Sequence, residues 1–162
     1  MDLFQMNSAA EKIQSLSGFA GEFSHICVIV KDIRNAMEKY QRFLGVEAPR
    51  LKKTCEPEVA KVEYLEKPTD AVAWQTFFTI GSVRVELIEP DEHPSTWKSF
   101  LEEHGEGFHH ISYVVKDLEK ELERFREAGM GVCQRGNYNG GRYAYLDTEN
   151  EIGIMLELMQ ND

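Results

Sequence analysis

The sequence has little of what several classes of protein need. Its three cysteines, Cys27, Cys55 and Cys133, are scattered and form no CxxC pair, which argues against a disulfide framework and against a cysteine zinc site. No apolar run approaches the roughly 20 residues that span a bilayer. Residues 1–21 lack the cationic start and the unbroken apolar stretch of a signal peptide. We therefore expect a protein of the reducing cytoplasm, with no membrane partner.

Positive charge is also scarce. The 162 residues include 18 Lys and Arg against 28 Asp and Glu, a formal net charge of −10. Such a balance argues against general binding to nucleic-acid phosphates. It leaves room for a local basic pocket that binds an anionic small molecule. The densest basic zone comprises Arg34, Arg42, Arg50, Lys52 and Lys53, and a zone of this kind is most often a solvated face.

One phrase occurs twice in the chain. The stretches EFSHICVIVKD, from Glu22, and GFHHISYVVKD, from Gly107, both read Phe-x-His-Ile-x-x-x-Val-Lys-Asp. In each copy an apolar run typical of a strand is followed by an Asp that can cap a helix. Apolar residues at helical spacing come next, and Gly45 or Gly129 follows at the expected helix end. We predict helices over 33–44 and 118–128.

Further strands follow each predicted helix. The first copy closes with AVAWQTFFTIGSVRVELIEP, two strand-like runs around Gly81-Ser82, and the second with GRYAYLDTENEIGIMLELMQ, two runs around a polar loop. The sequence therefore predicts an α+β fold of two β-α-β-β-β modules, over residues 22–91 and 107–162. The linker, residues 92–106, contains a short helix near 95–104. Residues 1–21 form an N-terminal extension, for which we expect one more helix.

Strand alternation predicts that four polar residues share one face of the sheet. Apolar residues at every second position form the other face, which packs against the helices. Each module contributes one histidine and one glutamate at equivalent places: His25 and Glu86, and His110 and Glu157. A lone histidine or glutamate in a strand is more often structural or solvated. Four at repeat-equivalent sites favour a divalent metal ion, whose charge offsets the cost of burying carboxylates. Alternation turns His109 to the other face, so we exclude it as a ligand.

These residues resemble the vicinal oxygen chelate superfamily, which includes glyoxalase I, extradiol dioxygenases, bleomycin-resistance proteins and methylmalonyl-CoA epimerase. The resemblance covers about residues 23–160. It implies a glyoxalase-like fold, in which the two modules form a cupped, eight-stranded mixed sheet around one metal ion. His25, Glu86, His110 and Glu157 fall on the ligand positions of the family. The implied cofactor is one divalent ion (cobalt, nickel, manganese, zinc or iron), and the implied assembly is a homodimer.

Within the superfamily, the passage VELIEP, WKSFLEEHGEG and FHHISYVVKDL is most similar to methylmalonyl-CoA epimerases. The similarity implies an isomerase that moves a proton next to the thioester carbonyl of an acyl-CoA, with Glu157 as one base. Some epimerases carry a second glutamate base on the strand that reads AVAWQTFFTI here. This strand has Gln75 and no acid, so Glu63, nearby in sequence, is the candidate for the second base.

Two other functions stay open. The second is another enzyme of the superfamily, such as a lactoylglutathione-lyase-like enzyme of the glyoxalase I type or an enzyme that processes a thiol adduct. A non-catalytic small-molecule binding protein of the bleomycin-resistance type is the third possibility, although such proteins typically lack the full ligand set. A dioxygenase would use two histidines and one glutamate, which leaves Glu86 unexplained.

Overall fold

The computed structural model of the protein describes residues 18–47 and 50–162. In chain order its elements are β1 (Glu22–Ile29), α1 (Ile33–Leu44), β2 (Lys52–Lys53), α2 (Pro57–Ala60), β3 (Glu63–Tyr64), β4 (Lys67–Pro68), β5 (Ala73–Ile80), β6 (Val83–Pro90), α3 (Thr96–His104), β7 (Gly107–Val114), α4 (Leu118–Glu127), β8 (Val132–Tyr138), β9 (Gly141–Leu146), α5 (Glu149–Ile152) and β10 (Met155–Asn161). Within these residues no helix has the length and apolar content needed to cross a membrane. The helix expected in the N-terminal extension lies outside the described residues.

The longer helices begin and end where the sequence predicts. Asp32 caps α1 and Asp117 caps α4, and each carboxylate accepts a hydrogen bond from the backbone N–H three residues later, at 3.0 and 3.1 Å. Gly45 ends α1 in the left-handed region, at φ 65°, where a residue without Cβ is least strained. Ser95 caps the linker helix α3 by accepting from a backbone N–H at 3.1 Å.

The strands form one ten-stranded sheet in the order β2-β5-β6-β1-β7-β10-β9-β8-β3-β4. Its first eight strands are two equivalent sets, β2-β5-β6-β1 and β8-β9-β10-β7, which meet at the antiparallel pair of β1 and β7. In each set the histidine-bearing strand lies parallel to the closing strand, β1 beside β6 and β7 beside β10. The predicted α+β, glyoxalase-like fold with a mixed sheet is confirmed.

The first module also holds an insertion that the second module lacks. Helix α2 and strands β3 and β4 lie between β2 and β5, and β3 pairs with β8 of the second module. Leu65 and Glu66 join β3 to β4 with positive φ values of 49° and 63°, the geometry of a tight two-residue hairpin turn. The insertion therefore runs from one edge of the curved sheet to the other. Ala60 and Val62 from this segment line the cavity on the concave side.

Apolar clusters fill both sides of the sheet. On the helix side, Ile33 of α1 packs with Val85 and Leu87 of β6, and Leu118 and Leu122 of α4 pack on β9 and β10. Burial of side chains of this size contributes roughly 1.5–3 kcal/mol each.

The concave side is filled from the linker helix. Trp97 of α3 is buried against Cys27, Ile29 and Tyr145, and its indole N–H donates to the Tyr145 hydroxyl at 3.0 Å. Trp97 and Tyr145 both also line the cavity on the concave side.

Candidate metal centre

The strand registers bring one histidine and one glutamate from each module to the same place. Glu86 lies opposite Cys27, two residues after His25, and Glu157 lies opposite Ser112, two residues after His110. The two registers are identical. Because β1 and β7 run antiparallel side by side, the two His–Glu pairs face each other across the middle of the sheet.

The functional atoms of these four side chains converge. The Nε2 atom of His25 lies 3.2 Å from Oε2 of Glu86 and 3.4 Å from Oε2 of Glu157. The Nε2 atom of His110 lies 3.6 and 3.4 Å from the same two oxygens. The two Nε2 atoms are 3.4 Å apart. All four predicted ligands are therefore brought together, two nitrogens and two oxygens around one point.

The four side chains of the cluster are buried, and not all of their polar atoms have a hydrogen-bond partner. His110 is 0% exposed, His25 2%, and Glu86 and Glu157 5% each. In the described part of the chain, Oε2 of Glu157 has no partner with hydrogen-bond geometry, although both imidazole nitrogens are 3.4 Å away. A buried carboxylate oxygen without a hydrogen bond is costly, so a further positively charged group at this point would stabilise the arrangement.

His109 is not on the face that strict alternation predicts. Cys27 pairs with His110 and Val28 with Phe108, so His109 is the extra residue of a β-bulge. Its ring lies 5.5 Å from the Tyr145 ring, and the His110 ring lies 4.8 Å from the same ring. The prediction that His109 faces away is therefore wrong. Nδ1 of His109 lies 2.8 Å from Nδ1 of His110. It therefore contacts the ring nitrogen of His110 that does not face the carboxylates.

Sequence reasoning thus missed the two residues that orient the histidines. Because His110 presents Nε2 to the carboxylates, we assign a proton to its Nδ1, which donates to Nδ1 of His109. Burial and the nearby His110 hold the pKa of His109 well below its ordinary value, so His109 is neutral and can accept. Ser24 Oγ lies 2.9 Å from Nδ1 of His25 and has the equivalent place in the first module. Such partners fix the ring orientation of a ligating histidine.

Protons balance the charges when no metal is bound. Burial lowers the pKa of His25, but the carboxylates of Glu157 and Glu86 outweigh burial and raise it to about 9. The same two carboxylates raise the pKa of His110 against the effect of burial. Burial raises the pKa of each glutamate, and the two imidazoles outweigh it and lower both values. In the metal-free state a protonated His25 therefore faces the two carboxylates, and the same carboxylates favour a proton on His110.

Glu63 does not lie in the centre. It is exposed on β3, opposite Arg135 of β8, and lines a separate hollow with Arg135 and Arg142. Its neighbour Val62 faces the central cavity instead. The pairing of β3 with the other module carries Glu63 to the far edge of the sheet, so its placement does not support a role as second base.

A cavity of about 340 Å³ opens above the cluster, with His25, Glu86 and Glu157 in its lining. Its other walls are aromatic and polar, and they include Phe77, Tyr143, Tyr145, Trp97, Asn137 and the Gln75 of β5. A volume of this order suits a small organic ligand or the reacting end of a larger one.

The comparison with known families agrees with this geometry. The model of the Glyoxalase/Bleomycin resistance protein/Dioxygenase superfamily matches residues 24–145. The chain belongs to this superfamily. The match includes three of the four clustered residues, His25, Glu86 and His110, and it ends before Glu157.

Relatives within the superfamily cover most of the chain. The Bacillus subtilis protein YqjC is 29% identical over 139 residues, which are 84% of this chain and 89% of that protein. An ethylmalonyl-CoA/methylmalonyl-CoA epimerase of Cereibacter sphaeroides is 28% identical over 147 residues, 86% of this chain and 98% of that enzyme. A solved methylmalonyl-CoA epimerase, in complex with methylmalonyl-CoA and NH4+, matches with a TM-score of 0.61 at 20% identity, over 88% of this chain and 96% of that one. At that identity the likeness shows the fold alone.

The donor set fits a divalent metal ion, which the superfamily typically binds. Two imidazole nitrogens and two carboxylate oxygens suit cobalt, nickel, manganese, zinc or iron alike. A divalent ion would take the place of the imidazole protons that face the carboxylates, and it would satisfy the Oε2 atom of Glu157. His25, Glu86 and His110 are close enough together to hold one ion, and Oε2 of Glu157 lies 3.4 Å from both imidazole Nε2 atoms.

Proposed function

We propose that the protein is a metal-dependent isomerase of the methylmalonyl-CoA epimerase type, which transfers a proton at the carbon next to the thioester carbonyl of an acyl-CoA. The observation that carries this proposal is the convergence of His25, His110, Glu86 and Glu157 at the floor of the cavity, with Oε2 of Glu157 lacking a hydrogen bond. The name of the Cereibacter sphaeroides relative supports the choice of substrate class.

Each clustered residue has a role in the proposed reaction. His25, His110, Glu86 and Glu157 would hold the metal ion, and Ser24 and His109 fix the two imidazole rings. When bound, a divalent ion supplies a Lewis acid that stabilises the enolate charge next to the carbonyl. Glu157 would also take the proton from the substrate, because its carboxylate lines the cavity and a ligating carboxylate can act as a base when it leaves the metal.

Epimerisation and simple exchange of the α-proton differ in how the proton returns to the substrate. Epimerisation requires a proton donor on the opposite face of the substrate, and among the described residues Glu86 and Glu157 are the only carboxylates in the cavity lining. Gln75 lines the wall but is not a base at neutral pH. Exchange of the α-proton with solvent needs only Glu157, so exchange and epimerisation have to be measured separately.

The cavity lining of the described residues contains no carboxylate besides Glu86 and Glu157. This favours one second candidate, a lactoylglutathione-lyase-like reaction on a glutathione hemithioacetal. There the proton moves between adjacent carbons, and one carboxylate can take it and return it on one face. The placement of Glu63 outside the cavity, and of Gln75 inside it, is the reason to keep this candidate.

The test uses protein loaded with cobalt, nickel, manganese or zinc. It is incubated with methylmalonyl-CoA in deuterium oxide, and α-deuteration is followed by mass spectrometry while epimerisation is followed with a stereospecific coupled assay. We expect α-deuteration that depends on the metal. If no acyl-CoA exchanges while the hemithioacetal of glutathione is turned over, the lyase replaces the isomerase. If neither substrate reacts with any of these metals, the proposal is wrong.

Variants separate the roles of the two glutamates. Glu157→Gln should lower kcat by about 10²-fold or more, the usual contribution of a general base, and weaken metal binding much less. Glu86→Gln should act through the metal and be partly rescued by a higher metal concentration. Glu63→Gln is the matched control, since it removes a carboxylate outside the cavity, and should keep wild-type activity. A loss in Glu63→Gln equal to that in Glu157→Gln would contradict this assignment.

A further inference from the structure

A buried serine hydroxyl beside the cluster has no hydrogen-bond partner. Among the described residues, the buried side-chain atoms without a partner are Oγ of Ser112, Oε2 of Glu157 and Nε2 of His109. Ser112 is 0% exposed. Burying a hydroxyl without a partner costs about 1–3 kcal/mol, and an alanine would fill the same place in the strand without this cost. The hydroxyl of Ser112 therefore calls for a functional explanation.

The strand registers place Ser112 between two of the clustered residues. It follows His110 by two residues in β7, where the pairing with β1 is regular, so both side chains lie on the same face of the sheet. Its neighbour on β1 is His25, and its neighbour on β10 is Glu157. Neighbouring strands lie about 4.8 Å apart. Rotation about the side-chain bonds of Glu157 can therefore bring its carboxylate to the Ser112 hydroxyl.

The first module has a cysteine at the equivalent position. Cys27 follows His25 by two residues, and its neighbours are Glu86 on β6 and His110 on β7. Its Sγ atom lies within 4.8 Å of a ring nitrogen of His110, so a side chain at this position points to the cluster. A thiol is a weak hydrogen-bond donor, whereas a hydroxyl is a full donor. The two glutamates therefore have unequal neighbours, a thiol beside Glu86 and a hydroxyl beside Glu157.

We propose that Ser112 is a positioning residue for Glu157, and that its hydroxyl donates to the Glu157 carboxylate when this side chain turns away from the metal site to act as a base. The inference rests on the proposed function, which gives Glu157 both roles. In the structure Oε2 of Glu157 faces the two imidazoles, 3.4 Å from each Nε2 atom. A buried carboxylate that leaves this place needs a second partner, because an unpaired charge is costly there.

The difference between the modules then decides which glutamate is the base. Ser112 can donate to one oxygen of Glu157 and leave the other oxygen free to accept the proton from the substrate. Cys27 provides no comparable donor for Glu86, so Glu86 has no second position and stays with the imidazoles. Of two glutamates at equivalent places in the repeat, only Glu157 is therefore supported in both positions.

Kinetics of the metal-loaded protein test this role. Ser112→Ala and Ser112→Cys should each lower kcat for α-deuteration of methylmalonyl-CoA about 10- to 100-fold, the loss of one hydrogen bond to a charged group. KM and the affinity for zinc, measured by calorimetry, should stay near the wild-type values, because neither depends on the second position of Glu157. Cys27→Ala is the matched control and should keep the wild-type kcat. An unchanged kcat in Ser112→Ala, or a loss that follows weaker zinc binding, would overturn the proposal.

A double-mutant cycle shows whether Ser112 acts through Glu157. In the Glu157→Gln background, Ser112→Ala should cause no further loss of kcat, whereas equal losses in both backgrounds would overturn the proposal. If the wild type exchanges no acyl-CoA, the proposed isomerase fails, and the same cycle is measured on the hemithioacetal of glutathione, where Glu157 has the same role as a base. Coupling of the two residues there would support the role of Ser112 without the isomerase. A wild type that is inactive on both substrates would overturn both proposals.

Discussion

The metal-free protein should lose stability as the pH rises from about 6.5 to 9. The pKa of His25 is raised from 6.5 to about 9 by Glu157 and Glu86, so the folded state binds a proton that the unfolded state releases in this window. The stabilisation is fully present below pH 6.5 and is lost as the pH rises through 9. The raised pKa of His110 acts with the same sign.

The magnitude follows from the His25 pKa. A change from 6.5 to about 9 corresponds to about 3 kcal/mol of unfolding free energy. The total stability of a domain is typically about 5–15 kcal/mol. The loss should therefore be a large fraction of the whole and easily measured.

The assay is guanidinium denaturation of chelator-treated protein at pH 6.5 and at pH 9. The wild type should lose about 3 kcal/mol or more between the two. His25→Gln should lack the part of this pH-dependent loss that His25 contributes, about 3 kcal/mol, because its titrating group is gone. The zinc-loaded wild type should also lack it, since an ion replaces the protons. The same pH dependence in metal-free wild type and in His25→Gln would refute the charge balance described for the cluster.

Three further predictions follow from individual contacts. Zinc binding at pH 7 should release at least the proton that His25 holds, measured by calorimetry in buffers of different ionisation enthalpy, and a count of zero would contradict a protonated His25. Ser24→Ala and His109→Gln should each weaken zinc binding about 10- to 100-fold while the fold persists, and unchanged affinity would show that these contacts do not orient the rings. Asp32→Ala and Asp117→Ala should each cost about 1 kcal/mol in urea denaturation, and no loss would mean that the capping hydrogen bonds contribute nothing.

Local rules predict much of the fold and the ligand set. Asp32 and Asp117 mark the starts of α1 and α4, and Gly45 marks the end of α1, because caps act through hydrogen bonds a few residues away. Alternation predicts the convergence of the histidines and glutamates, because each histidine strand keeps a regular register with its closing strand, β1 with β6 and β7 with β10. The β1–β7 pair itself has two irregularities, between Phe23 and His25 and at His109. The internal repeat then predicts that the two pairs are equivalent.

Non-local pairing explains what the sequence does not predict. The bulge at His109 depends on how β7 meets β1, and it turns a residue expected on the other face toward Tyr145. Glu63 reaches the far edge because β3 pairs with β8, a partner more than 60 residues away in sequence.

The most direct test of the central claim is the metal content of purified protein. Protein dialysed against zinc or cobalt is measured by elemental analysis, for the wild type and for single histidine variants. The wild type should hold one ion per chain, and His25→Ala and His110→Ala should hold none. His93→Ala, in the more exposed cluster with Asp91 and Glu92, should hold the same amount as the wild type. Full metal content in both His25→Ala and His110→Ala, or its loss in His93→Ala alone, would contradict a metal centre built from His25, Glu86, His110 and Glu157.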